Sequence, residues 1–76
     1  MEFEINETIP APGYLQLAAQ LREKIRSGEI TDRLPSLTTL CEASGLSLSS
    51  VQHAVRVLKE EGLVVASRGR GTFVKR

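Results

Sequence analysis

Seventy-six residues, 8.3 kDa in all, fit one small domain and exclude an enzyme built around a roomy substrate cavity, because so short a chain buries only about 60% of the surface that its unfolded form exposes. Hydrophobic residues at 41% and charged residues at 25% are ordinary for a soluble globular domain, and no apolar run approaches the roughly 20 residues of a membrane span. The net charge of +1 is too weak to imply a polyanionic partner, but it is unevenly placed: residues 1–50 carry four basic against seven acidic groups, a net of −3, and residues 51–76 carry six against two, a net of +4.

Glu2, Glu4 and Glu7 stand where a secretory signal would carry basic residues before an apolar core, so the sequence reads as cytoplasmic. Residues 1–12 end in Pro10 and Pro12, which disfavour helix in the residues before them, and read as a loosely ordered arm ahead of a domain at 13–76. From Tyr14, the apolar residues Leu17, Ala18, Leu21 and Ile25 follow helical spacing, and Gly28 supplies a stop; the first helix is expected at about 13–27. Leu34, held extended by Pro35, predicts a short strand.

Ser36 then has the chemistry of an N-cap, since its hydroxyl accepts a hydrogen bond from a first-turn backbone N–H, and a short helix is expected from about Leu37 to Ser44. Gly45 closes it. Ser47 repeats the cap and opens a third helix, about 48–61, in which Val51, Ala54, Val55 and Leu58 mark the inward face. Two β-rich runs follow, 63–67 and 72–75, around Arg68-Gly69-Arg70-Gly71, a hairpin signal. The order predicts a mainly α fold with a small β-hairpin, and two helices joined by a turn containing glycine are the sequence image of a helix-turn-helix.

In that motif the second helix enters the DNA major groove and presents its N-terminal residues to base edges. Here those are Ser47, Leu48, Ser49 and Ser50, followed by Gln52, His53 and Arg56 on the face away from the apolar stripe. Hydroxyls bond phosphates or bases, glutamine pairs bidentately with adenine, and leucine contacts a thymine methyl; plain solvation of the same face is the competing reading. Arg68 and Arg70, with Gly69 and Gly71 between and after them, place cations at a tight turn where backbone approaches closely, as a phosphate or a minor groove requires. A solvated hairpin tip is the alternative there. One cysteine forms no internal disulfide, and with one histidine there is no zinc site of usual spacing. Cys41 reads as a buried, unreactive thiol and His53 as a surface or DNA-facing residue without a nucleophile to activate, so no enzyme, metal or cofactor is expected.

Over residues 14–74 the chain resembles the N-terminal domain of the GntR family of bacterial transcription regulators. The resemblance rests on Tyr14, on Leu21-Arg22-x-x-Ile25-x-x-Gly28, on Leu34-Pro35-Ser36 with Leu40, and on Gly45-Leu46-Ser47-x-x-x-Val51-x-x-Ala54. It continues in Leu58-x-x-Glu61-Gly62-Leu63 and, most specifically, in Arg68-Gly69-Arg70-Gly71-Thr72-Phe73-Val74. It implies a winged helix-turn-helix of three helices and a two- or three-stranded wing. Such a domain binds a palindromic operator in double-stranded DNA as a homodimer, with the third helix in the major groove and residues 68–72 at the minor groove. Family members are most often repressors, and a small-molecule effector would be bound by a C-terminal domain, to which a linker would begin near Lys75-Arg76. Ser36 and Thr72 join the expected contacts through the resemblance. Three positions depart from it: Thr38, Leu48 and Gln52 stand where the family usually has arginine. The operator preference is expected to shift accordingly, and the loss leaves room for another reading, a winged-helix module that binds protein and little or no DNA.

Overall fold

The computed structural model describes residues 3–75; the first two residues of the arm and the last residue of the domain lie outside it. Three helices, α1 (Gly13–Ser27), α2 (Leu37–Ser44) and α3 (Leu48–Glu60), precede two strands, β1 (Val64–Ser67) and β2 (Gly71–Val74). The helices start and stop where local chemistry directs. Ser36 Oγ accepts from the Thr39 N–H and Ser47 Oγ from the Ser50 N–H, satisfying donors that the first turns of α2 and α3 leave open. Gly45 ends α2 at φ +74°, a conformation costly for any residue with a Cβ, and turns the chain toward Ser47 within two residues.

Leu17, Leu21, Leu40, Val51 and Leu58 are fully buried between the three helices, with Ala18, Ala54 and Val55 filling the closer approaches. The aliphatic stripes of α1 and α3 thus face each other. Ile30, Leu34 and Val64 carry the same core out to the sheet.

β1 and β2 pair antiparallel, with Val64 opposite Val74 and Ser67 opposite Gly71. The connection is Arg68-Gly69-Arg70, closed by a 3.0 Å bond from the Arg70 N–H to the Ser67 carbonyl. β1 begins one residue later than expected and β2 begins and ends one residue earlier, with Gly71 opposite Ser67; a 2.9 Å bond from the Lys75 N–H to the Leu63 carbonyl lies just beyond the Val64–Val74 pair. The strand expected at Leu34 reduces to a single antiparallel bridge, Arg33 to Phe73, flanked by bonds from Leu34 N–H to the Thr72 carbonyl (2.9 Å) and from Val74 N–H to the Asp32 carbonyl (2.6 Å). Pro35 has no N–H to extend that ladder.

Residues 3–12 contain no helix or strand, and they lie along α1 with side-chain and backbone contacts to it. Phe3 is buried in the core cluster, and Ile5 packs against it. Gln20 exchanges hydrogen bonds with both backbone groups of Glu4, at 2.9 and 2.6 Å, and Gln16 does the same with Asn6, at 2.7 and 2.8 Å. A glutamine amide offers the donor and acceptor of a peptide group, so two glutamines one helical turn apart serve the arm as a neighbouring strand would. Cys41 differs slightly from expectation: it is half-buried against the core edge rather than buried.

Candidate nucleic-acid interface

α3 separates its residues cleanly. Val51, Ala54, Val55 and Leu58 are buried, while Leu48, Ser49, Gln52, His53 and Arg56 are exposed along the opposite surface. Leu48, at the first position of α3, retains 52% of its surface. Ser50 is half-buried, and Ser47 is committed to holding it: besides the cap, the Ser47 hydroxyl donates to Ser50 Oγ at 3.1 Å and lies 3.4 Å from Ser49 Oγ. Ser36 is likewise engaged, accepting from the Thr39 N–H and donating to Thr39 Oγ1 at 2.9 Å. These two serines therefore act first on their own helices.

Thr38 is exposed in the first turn of α2 and lines a groove with Ser36, Val55, Gly71 and Thr72. A neighbouring groove runs between Gln52, Arg56, Lys59, Leu37 and Thr72, so the wing and α3 share one concave surface. Arg68, Gly69 and Arg70 are exposed at the wing tip; Thr72 is half-buried at its root, where its carbonyl receives the Leu34 N–H. Arg68 and Arg70 sit apart from both ion pairs seen among the described residues, Arg22–Glu61 and Lys24–Glu29.

Four residues on or beside this surface escape a reading of spacing alone. Lys59 lies three residues beyond Arg56 and seven beyond Gln52, a helical repeat that marks it in retrospect. Leu37 is 37% exposed beside the same groove, and no polar signal marks it. Tyr14, which begins the apolar stripe of α1, stacks on His53 with ring centroids 3.7 Å apart and planes 8° from parallel. One face of the His53 ring is thereby covered by α1. Arg33 lies against Gly71 at the base of the wing tip.

Three helices with a two-stranded wing, a capped helix-turn-helix and an exposed polar face on the second helix of that motif define a winged helix-turn-helix DNA-binding domain. The family model for bacterial regulatory proteins of the gntR family matches residues 13–74, and the chain belongs to the GntR family. It is 39% identical over 74 residues to the HTH-type transcriptional repressor NagR of Bacillus subtilis, a match that covers 95% of this chain and 30% of NagR. The chain thus spans less than a third of that relative's length. Among solved structures, the DNA-binding domain of AraR in complex with operator ORX1 superposes with a TM-score of 0.86 at 26% identity, covering 97% of this chain and 98% of that one. YtrA from Sulfolobus acidocaldarius, a GntR-family transcription factor, superposes with a TM-score of 0.90 at 31% identity, over 100% of this chain and 82% of its own. Relatives of this family are transcriptional regulators, and among the described residues no helix is long and apolar enough to cross a membrane.

Proposed function

We propose that this domain represses transcription by holding a palindromic operator in double-stranded DNA as one half of a homodimer, with α3 in the major groove and residues 68–72 at the minor groove. The observation that carries the reading is the segregation of α3, whose buried residues face the core while Gln52, Arg56 and Lys59 on its exposed side share a groove with Thr72 of the wing. Leu48, Ser49, Gln52, His53 and Arg56 read base edges; Arg68 and Arg70 anchor phosphates, helped by the exposed backbone of Gly69 and Gly71 and by Thr38. Ser36, Ser47, Ser50 and Thr72 set the positions of these groups. Operator-bound AraR supports the docking, and the repressor NagR supports the direction of control. The domain works in the cytoplasm, on the nucleoid, and needs no cofactor for binding. Any small-molecule effector acts through a further domain of the kind that GntR-type regulators carry.

Thr38, Leu48 and Gln52 replace family arginines, so the operator differs from the usual guanine-containing family site, and Gln52 selects adenine. The test is a selection of bound sequences from a random duplex pool, joined to titrations of mixed duplex at two salt concentrations. An enriched palindrome together with salt-sensitive binding that falls in Arg68→Ala and Arg70→Ala is the expected result. Absence of duplex binding at low salt would replace this reading with the protein-binding module, which the three missing arginines favour.

A further inference from the structure

The register of the sheet gives Arg33 a place that its position in the sequence does not disclose. Arg33 bridges to Phe73, and residues directly opposite in an antiparallel pair project from the same face. Gly71 lies two residues from Phe73 on that face, diagonal to Arg33 and within reach of a long side chain. The guanidinium occupies the space above it. A Cβ built on Gly71 would fall 2.9 Å from Arg33 Nε and 3.2 Å from Nη2, closer than a methyl and a guanidinium can approach. Gly71 has φ +116°, so the same residue supplies both the backbone bend and the vacancy in which the guanidinium rests.

Three features make this a cation presented to a ligand rather than one consumed by the fold. Arg33 is exposed, and it belongs to neither ion pair found among the described residues. Two backbone bonds, from Leu34 to Thr72 and from Val74 to Asp32, hold its main chain against β2, so little freedom is lost on binding at that point. Gly71 follows Arg70 directly, which brings Arg33 beside the cationic wing tip and at the mouth of the groove shared with Ser36 and Thr38. A guanidinium on a fixed main chain, exposed and lying against Gly71 next to the wing tip, has the fork geometry that phosphate oxygens accept.

We infer that Arg33 is a third cation of the wing and contacts a DNA backbone phosphate, offsetting part of the charge lost with the arginines absent at Thr38, Leu48 and Gln52. The inference rests on the DNA-binding reading above and deepens it. Each phosphate neutralised contributes about −0.9 to the slope of log K against log salt concentration, which corresponds to roughly eightfold in affinity at 0.1 M salt.

The experiment measures binding of the whole chain to one mixed-sequence duplex across a salt series for wild type, Arg33→Gln and Arg33→Lys, with thermal melts of each. Arg33→Gln is expected to bind roughly eightfold more weakly at 0.1 M salt and with a slope shallower by about one. Arg33→Lys, which keeps the point charge, is expected to restore the slope. An unchanged slope in Arg33→Gln overturns the inference, and so does weaker binding at an unchanged slope, since that marks a structural role only. Absence of salt-sensitive binding in the wild type defeats the DNA-binding reading itself, an outcome separate from either.

Discussion

Arg22 on α1 and Glu61, the residue just beyond α3, meet across 39 residues of sequence in a two-pronged ion pair, Nε to Oε1 at 2.8 Å and Nη2 to Oε2 at 2.5 Å. The pair ties the end of α3 to the middle of α1. Hydrogen bonding from Arg22 holds the Glu61 carboxyl below its ordinary value of 4.5, against a smaller opposing effect of desolvation, with the Arg22 and Arg26 charges assisting. A carboxyl whose folded pKa is depressed contributes stability that is full above its unfolded pKa and disappears as pH falls through the folded one. Glu61→Gln should therefore melt below wild type at neutral pH, and the difference between the two melting temperatures should shrink toward zero as the pH is taken well below 4.5. Both groups are partly open to solvent, so the neutral-pH difference is expected to be small. A difference independent of pH would show that the pair contributes nothing through its charge.

Phe3 belongs to the core although it lies in a segment without regular structure. Burying a phenylalanine stabilises by roughly 1.5–3 kcal/mol, against a total of roughly 4–11 kcal/mol for a domain of this size. Phe3→Ala is expected to lose about 2 kcal/mol in denaturant unfolding and to speed hydrogen exchange at the Glu4 and Asn6 amides, which Gln20 and Gln16 now hold. An unaltered midpoint with exchange already fast in wild type would mark the arm as a loose tail.

Ser47 is expected to matter as a cap before it matters as a contact. Ser47→Ala should destabilise by about 1 kcal/mol and Ser47→Gly by only a few tenths, measured by chemical denaturation. A DNA affinity that falls in Ser47→Gly by as much as in Ser47→Ala would mean instead that the hydroxyl touches DNA directly.

The Tyr14 ring fixes His53 at the surface that α3 offers. Stacked rings contribute roughly 0.5–1.5 kcal/mol beyond the area they bury. Tyr14→Ala should lower stability by at least that much and broaden base preference at the position read by His53, whereas Tyr14→Phe should leave both close to wild type. Sequence selection on the two variants decides the matter. A preference as sharp in Tyr14→Ala as in wild type would free His53 from any reading role.

Gln52 stands in place of a family arginine on the exposed face of α3. Gln52→Arg is expected to switch the preferred base at one operator position from adenine to guanine, a discrimination of roughly 1–3 kcal/mol, and to steepen the salt dependence if the new cation also reaches a phosphate. Identical selected sites for the two proteins would remove Gln52 from the reading surface.

The sequence by itself determined the helices, because what starts, sustains and ends a helix lies within a few residues: serine caps at 36 and 47, apolar residues three and four apart, glycines at 28 and 45. It determined the hairpin for the same reason, and the exposed face of α3 followed from the buried one. Tertiary structure alone decided what the distant parts do for one another. Phe3 reached the core through glutamines on α1, Tyr14 covered His53, Arg22 found Glu61, and Arg33 came to rest over Gly71. Each of these contacts joins residues at least 10 positions apart, and each depends on how helices cross or which segments lie side by side, quantities that no local spacing encodes.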